Sequence, residues 1–229
     1  MGDLGPPAVI FDLDGTLIDS AAQIHATTNK VLAEIGLGPT DRATVQSFVG
    51  NGLPTLIDRL LAHHATPLSP QARADLIATF EADYSANHGL TVLYPGVRKA
   101  LEALRSQGAA LGICTNKPIT PTHAILDHLA LTPLFGAILG GDSLPTRKPD
   151  PAPLLATAQA LHRPTAVFVG DSEVDAETAR AAGLSVMVYT GYTLDELRAS
   201  PDPGVAALLA QTDLLLDGRY DRTRPEAGA

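Results

Sequence analysis

The sequence predicts an α/β fold: a doubly wound parallel sheet with a small α-helical domain inserted into it. Three observations carry this. Short apolar runs recur along the chain, and helical patterns alternate with them. Near the N-terminus, an interval of about ninety residues shows little strand character, far more than a crossover needs.

The runs are AVIF (8–11), AALGICT (109–115), GAILGG (136–141), TAVFVG (165–170) and LSVMVY (184–189). Each is too short for a helix and several are rich in Val and Ile, so they read as strands buried on both faces. Between Leu13 and Gly108 helical segments take over, at roughly 20–35, 53–64 and 70–88. In NGLPTLIDRLLAHH, Leu53, Leu56, Ile57, Leu60 and Leu61 fall on one face, whereas His63 and His64 are expected on a solvated one. Residues 17–91 are therefore expected to form the inserted helical domain, rejoining the sheet near Tyr94-Pro95-Gly96. Residues 1–16 and 92–229 then make a Rossmann-like core.

Within that core, PGVRKALEALRSQG (95–108) starts with Pro and stops at Gly, as a helix should. PAPLLATAQALHR (151–163) gives another helix. VDAETARAAGL (174–184) places acids in its first turn and ends in Arg180 and Gly183, which suits dipole and cap. Such alternation implies parallel strands with right-handed crossovers. The stretch 219–229 has no periodicity and is expected to fray.

Composition narrows the function. Aromatics make up 4% and hydrophobic residues 45%, so Ala, Leu, Val and Ile must build the core. Charged residues at 18% fall below the usual quarter, which argues for a globule and against disorder. A formal net charge of −9 with no basic run excludes nucleic acid and an anionic membrane surface as expected partners. Cys114 is the single cysteine, so no intramolecular disulfide is expected, and its apolar setting marks it as core in a reducing compartment. MGDLGPP lacks the features of a signal peptide and has Pro6 where a myristoylation motif needs Ser or Thr. No apolar run approaches the ~20 residues of a membrane span. A soluble, cytoplasmic protein is expected; a homodimer is compatible with the sequence.

In an open parallel sheet, ligands bind at the carboxyl ends of the strands. The first run ends in Asp12 and Asp14, and the second in Thr115-Asn116-Lys117. The third leads into GGDSLPTRKPD with Lys148, and the fourth into GDSEVD with Asp171 and Asp175. Any one of these acids could cap the next helix. Together they put carboxylates, a hydroxyl and a lysine on one rim, where the carboxylates repel unless a cation intervenes. Oxygen ligands without His or Cys point to Mg²⁺, and the seven histidines lack the spacing that zinc requires. Lys and Thr opposite such an ion suit a bound phosphate. Two residues apart in a strand, Asp12 and Asp14 share a face, and Gly15 allows the sharp turn that follows.

FDLDGT, the Thr-Asn after the second strand, the distant Lys-Pro and VGDSEVD, in this order, resemble the haloacid-dehalogenase-like phosphatases. The resemblance covers nearly the whole chain, and the helical insertion resembles that family's small cap domain. It implies Asp12 as nucleophile and Asp14 as general acid and then base. Thr115 and the amide of Asn116 would hold the phosphoryl oxygens, and Lys148 would neutralise charge. Mg²⁺ would sit on Asp12, Asp171 and the backbone carbonyl of Asp14, with Asp175 supporting from behind. FVGNGLPTLIDRL, TNKP and GGDSLPTRKPDPAPL further resemble the branch that hydrolyses 2-phosphoglycolate, a small anionic phosphoester.

Gly50, Asn51 and Gly52 precede a helix whose free amides could read a substrate carboxylate, or they could form a plain interhelical turn. A sugar-phosphate mutase, a pyrophosphatase or a broad-specificity phosphatase would keep the same rim and differ in the cap. A dehalogenase would need neither Asp14 nor Asp171. A non-catalytic phosphate-binding module on this fold would need no nucleophile and proton shuttle.

Overall fold

The computed structural model describes residues 6–163 and 165–218, so the tail 219–229 lies outside it. In chain order the elements begin with β1 (Ala8–Phe11) and β2 (Ile18–Asp19). Four helices follow: α1 (Ala21–Glu34), α2 (Arg42–Phe48), α3 (Leu53–His63) and α4 (Pro70–Ala86). Next come β3 (Val92–Leu93), α5 (Val97–Ser106), β4 (Ala110–Cys114), α6 (Ile119–His128), β5 (Ala137–Leu139) and α7 (Ala152–Ala160). The chain closes with β6 (Ala166–Val169), α8 (Glu173–Ala181), β7 (Met187–Tyr189), α9 (Leu194–Arg198), α10 (Pro203–Ala210) and β8 (Leu214–Leu216).

The main sheet is parallel, in the order β5-β4-β1-β6, with Ala8 in register with Ala110 on one side and Ala166 on the other. Because successive strand residues point to opposite faces, β1 feeds two cores. Val9 and Phe11 pack with Leu101 of α5 and Ile125 and Leu126 of α6. Ala8 and Ile10 pack on the other face with Leu154 of α7 and the buried thiol of Cys114.

The four helices of the insert close on an apolar core of their own. It is built from Ile24, Val31 and Leu32, the α3 stripe of Leu53, Leu56, Ile57, Leu60 and Leu61, and Leu76, Phe80 and Tyr84 of α4. Asp41 caps α2 by accepting from the Thr44 amide, and Ser69 caps α4 by accepting from the Ala72 amide. The two chain crossings between insert and sheet lie side by side, since β2 and β3 pair antiparallel, Ile18 with Leu93 and Asp19 with Val92.

Two strand expectations need correction. LSVMVY does not join the main sheet: β7 pairs in parallel with β8 as a separate two-stranded sheet. Only Val188 turns inward there, toward Phe168 and Val186, while Met187 and Tyr189 are exposed. β6 is likewise half covered: Val167 and Val169 are exposed on one face, and Ala166 and Phe168 pack inward on the other. Three- and four-residue strands are too short to show alternation, so a continuous apolar run reads as doubly buried when it is not. Among the histidines, His63 is exposed, but His64 is half-buried with Nε2 at 2.8 Å from the Thr40 hydroxyl. No helix among the described residues is long and apolar enough to cross a membrane.

Candidate active site

The site forms where β1, β4, β5 and β6 deliver their C-terminal loops, under the insert. β1 extends its ladder by one bond, Asp12 donating its amide to the Val169 carbonyl at 2.8 Å. The chain then turns tightly, Leu17 and Ile18 both donating to the Leu13 carbonyl. Gly15 sits in that turn at φ +90°, and a Cβ there would lie 2.2 Å from Asp171 Oδ2. Glycine is therefore required twice, by the backbone and by the Asp171 carboxylate pressed against it.

Asp12 and Asp14, two residues apart, face different partners. Lys148 Nζ lies 2.9 Å from Asp12 Oδ1 and 2.6 Å from Asp175 Oδ1, with its side chain 2% exposed. Burial opposes the Lys148 charge, but Asp12 and Asp175 outweigh it and hold the ammonium above the ordinary lysine range. Burial pushes Asp12 the other way, up to about 6, with Lys148 partly countering. Asp175 is fully engaged, its second oxygen accepting from the Ser172 amide and hydroxyl and from the Asp171 amide. Asp14 instead accepts from Ser20 Oγ and, through both oxygens, from Lys117 Nζ at 3.0 and 3.1 Å.

Carboxylate oxygens of Asp12, Asp171 and Asp175 all lie within 4.8 Å of one another. Desolvation raises Asp171, which the Thr16 hydroxyl steadies through a 2.7 Å hydrogen bond. The donors are all oxygen, without His or Cys, and Gly15 leaves room for the Asp171 carboxylate beside them. This donor set fits a hard divalent cation. Such an ion offsets the repulsion that three converging acids otherwise suffer.

Thr115 and Asn116 are buried at the end of β4 and line a cleft of about 270 Å³ with Asp12, Asp14 and Asp171. Asn116 Nδ2 donates to the Lys148 carbonyl at 3.0 Å and to the Gly50 carbonyl at 3.1 Å, which ties the insert's loop to the rim. Gly50 and Gly52 line the cleft. Asn51 is not brought there: its Oδ1 accepts from Arg59 Nη2 at 3.0 Å, within the insert. Asp19, at the end of β2, also lines the cleft, outside the three-acid cluster.

Sequence reasoning gave no role to Lys117, Tyr84, Ser20 or Thr16. For Lys117 the signal was the strand-end string TNKP. Tyr84 offered none, since it reaches the site only through the packing of α4 against α6.

Comparison with known proteins places the chain in a family. The chain is 49% identical over 201 residues to a phosphoglycolate phosphatase of Cereibacter sphaeroides (strain ATCC 17029 / ATH 2.4.9), covering 87% of this chain and 92% of that one. It is 39% identical over 231 residues to a phosphoglycolate phosphatase of Pseudomonas putida, covering 90% and 84%. A crystal structure described as a predicted phosphoglycolate phosphatase from Haemophilus somnus 129pt superposes with a TM-score of 0.75 at 32% identity, over 81% of this chain and 85% of that one. Residues 9–189, most of the chain, match the model of the haloacid dehalogenase-like hydrolases, and the chain belongs to that family.

Proposed function

We propose that the chain is a Mg²⁺-dependent phosphoglycolate phosphatase that converts 2-phosphoglycolate and water to glycolate and phosphate. One observation carries the reading. A single turn presents two carboxylates to one cleft in different surroundings, Asp12 against Lys148 and the acid cluster, Asp14 against Lys117 and Ser20. That is how one loop supplies both a nucleophile and a proton carrier.

In the first step an Asp12 oxygen attacks phosphorus, and the bond from phosphorus to the glycolate oxygen breaks. Asp14 gives its proton to that oxygen. In the second step Asp14 takes a proton from water, which attacks the same phosphorus and releases phosphate from Asp12. Lys148 neutralises the nucleophile and the phosphoryl group, and the Thr115 hydroxyl and Asn116 amide hold its oxygens. Asp12, Asp171 and the backbone carbonyl of Asp14 would hold Mg²⁺, which when bound supplies charge neutralisation to the phosphoryl oxygens. Asp175 fixes Lys148 and the Asp171 loop from behind. The seventy-odd residues of the insert act as a cap, with Gly50 and Gly52 closing over the substrate. The buried lone thiol of Cys114, which burial pushes up to about 12, suits a cytoplasmic protein.

The test is phosphate release from 2-phosphoglycolate, glucose 1-phosphate, pyrophosphate and nucleotides, with Mg²⁺ and with chelator. Preference for 2-phosphoglycolate, abolished by chelation, is expected. Even rates across the panel would overturn the substrate, and relocation of phosphate without release would mark a mutase.

A further inference from the structure

The wall of the cleft is chemically lopsided. Asp12, Asp14, Asp19, Glu81 and Asp171 face it, and among the described lining residues Lys117 is the only cation. Lys117 Nζ stands on the leaving-group side, 3.0 Å from the Asp14 carboxylate that delivers the proton. Its side chain is 6% exposed, so the charge is desolvated and needs anions around it. Its other partner comes from the insert: Nζ donates to the Tyr84 hydroxyl at 3.0 Å and lies 4.1 Å from the centre of the Tyr84 ring.

Tyr84 accepts from Lys117, so its own O–H remains to be donated. No acceptor among the described residues takes that proton. The contacts to both Asp14 oxygens and to Tyr84 take up the three ammonium hydrogens, so the free donor is the phenol, with the buried positive charge of Lys117 directly beside it. Phe80 and Leu56 line the same cleft and give it apolar wall.

Resting on the phosphatase reading above, the geometry points to Lys117 and Tyr84 as the specificity-determining pair, taking the leaving group's second anion, a carboxylate one carbon from the ester oxygen. Such an anion falls beside the ammonium while the ester oxygen meets Asp14. An uncharged leaving group leaves Asp14 as the one carboxylate paired with Lys117 among the described residues. Lys117 comes from the sheet and Tyr84 from the insert, so the carboxylate is read only when the two are together.

The experiment compares kcat/KM for 2-phosphoglycolate with that for ethyl phosphate, whose leaving group is the same length and uncharged. Wild-type protein is expected to favour 2-phosphoglycolate. In Lys117→Met the ratio should fall about 30-fold or more, chiefly through the KM for 2-phosphoglycolate. Tyr84→Phe, which keeps the ring, should lower it by about 3- to 10-fold. Lys117→Arg, which keeps the charge, should restore most of the preference.

Equal losses on both substrates in Lys117→Met would mean that Lys117 only holds Asp14 or anchors the insert, and would overturn the inference. If Lys117→Met fails to fold, an unchanged ratio in Tyr84→Phe overturns it just as firmly. In either case a wild-type preference for 2-phosphoglycolate would leave the function standing. A wild-type enzyme without that preference would sink the function itself.

Discussion

The two sides of the cleft each hold one aspartate against one buried lysine, and they are built differently. On the side of Asp12, Asp12 and Lys148 come from loops that follow strands of the main sheet and Asp175 from the first turn of α8, joined by contacts of 2.9 and 2.6 Å. On the leaving-group side, Asp14 meets Lys117, which reaches across to Tyr84 in the insert. In the proposed reaction, bond making and breaking at phosphorus falls to groups that all belong to the main domain. In the same reading, the choice of what leaves falls to a contact between two bodies of packing, each with its own core.

Removing the nucleophile should produce the largest effect. Asp12→Asn keeps shape and should cost roughly 10⁴-fold or more in kcat, equally for good and poor leaving groups, because no phosphoenzyme forms. In rapid-quench measurement of the first chemical step, Asp14→Asn should cost about 10²- to 10⁴-fold with 2-phosphoglycolate but much less with p-nitrophenyl phosphate, whose phenolate leaves without a proton, while hydrolysis of the phosphoenzyme slows alike for both. Equal losses from Asp14→Asn in that first step on both esters would erase the distinction between the two sides.

A smaller effect sharpens the same contrast through pH. Burial pushes Asp12 up to about 6 and desolvation also raises Asp171, so protons compete with the metal over the mildly acidic range. Protonated carboxylates do not ligate, so affinity must fall as pH drops through that range and hold above it. Calorimetric Mg²⁺ titrations should therefore bind about tenfold or more weakly at pH 5 than at pH 7.5, with proton release on binding. The smallest effect is expected at Asn51→Ala. Its side chain serves Arg59, so substrate selectivity should move less than about threefold even if the thermal midpoint drops slightly.

The convergence of Asp12, Asp171, Asp175, Lys148 and Thr115 is legible from sequence because a parallel sheet aligns its strand ends. Naming the strands names the rim. Tyr84 is illegible for the complementary reason. It lies in the last turn of α4, stacked beside Phe80 in the insert's core, and only tertiary docking turns its hydroxyl toward Lys117. Lys117 was written in TNKP, yet a lysine after a strand looks like any solvated lysine until its burial is known. Asn51 shows the converse failure. A Gly-Asn-Gly turn before a helix suggests open amides, but the side chain finds an arginine eight residues on. The C-terminal part was hardest: β8 is three leucines, and α9 has only five residues, too short for either period to show.

The pairing of Ile18 with Leu93 and Asp19 with Val92 has a consequence for ancestry and engineering alike. Because the two strands leave the sheet as neighbours, the ends of the insert are joined whatever hangs between them. To the rest of the molecule, four helices and a tight hairpin turn are interchangeable at that root, since lengthening a loop whose ends are already met costs little. Reaction chemistry can then stay fixed while whole recognition modules are exchanged over it, in one insertion event and without refolding a strand.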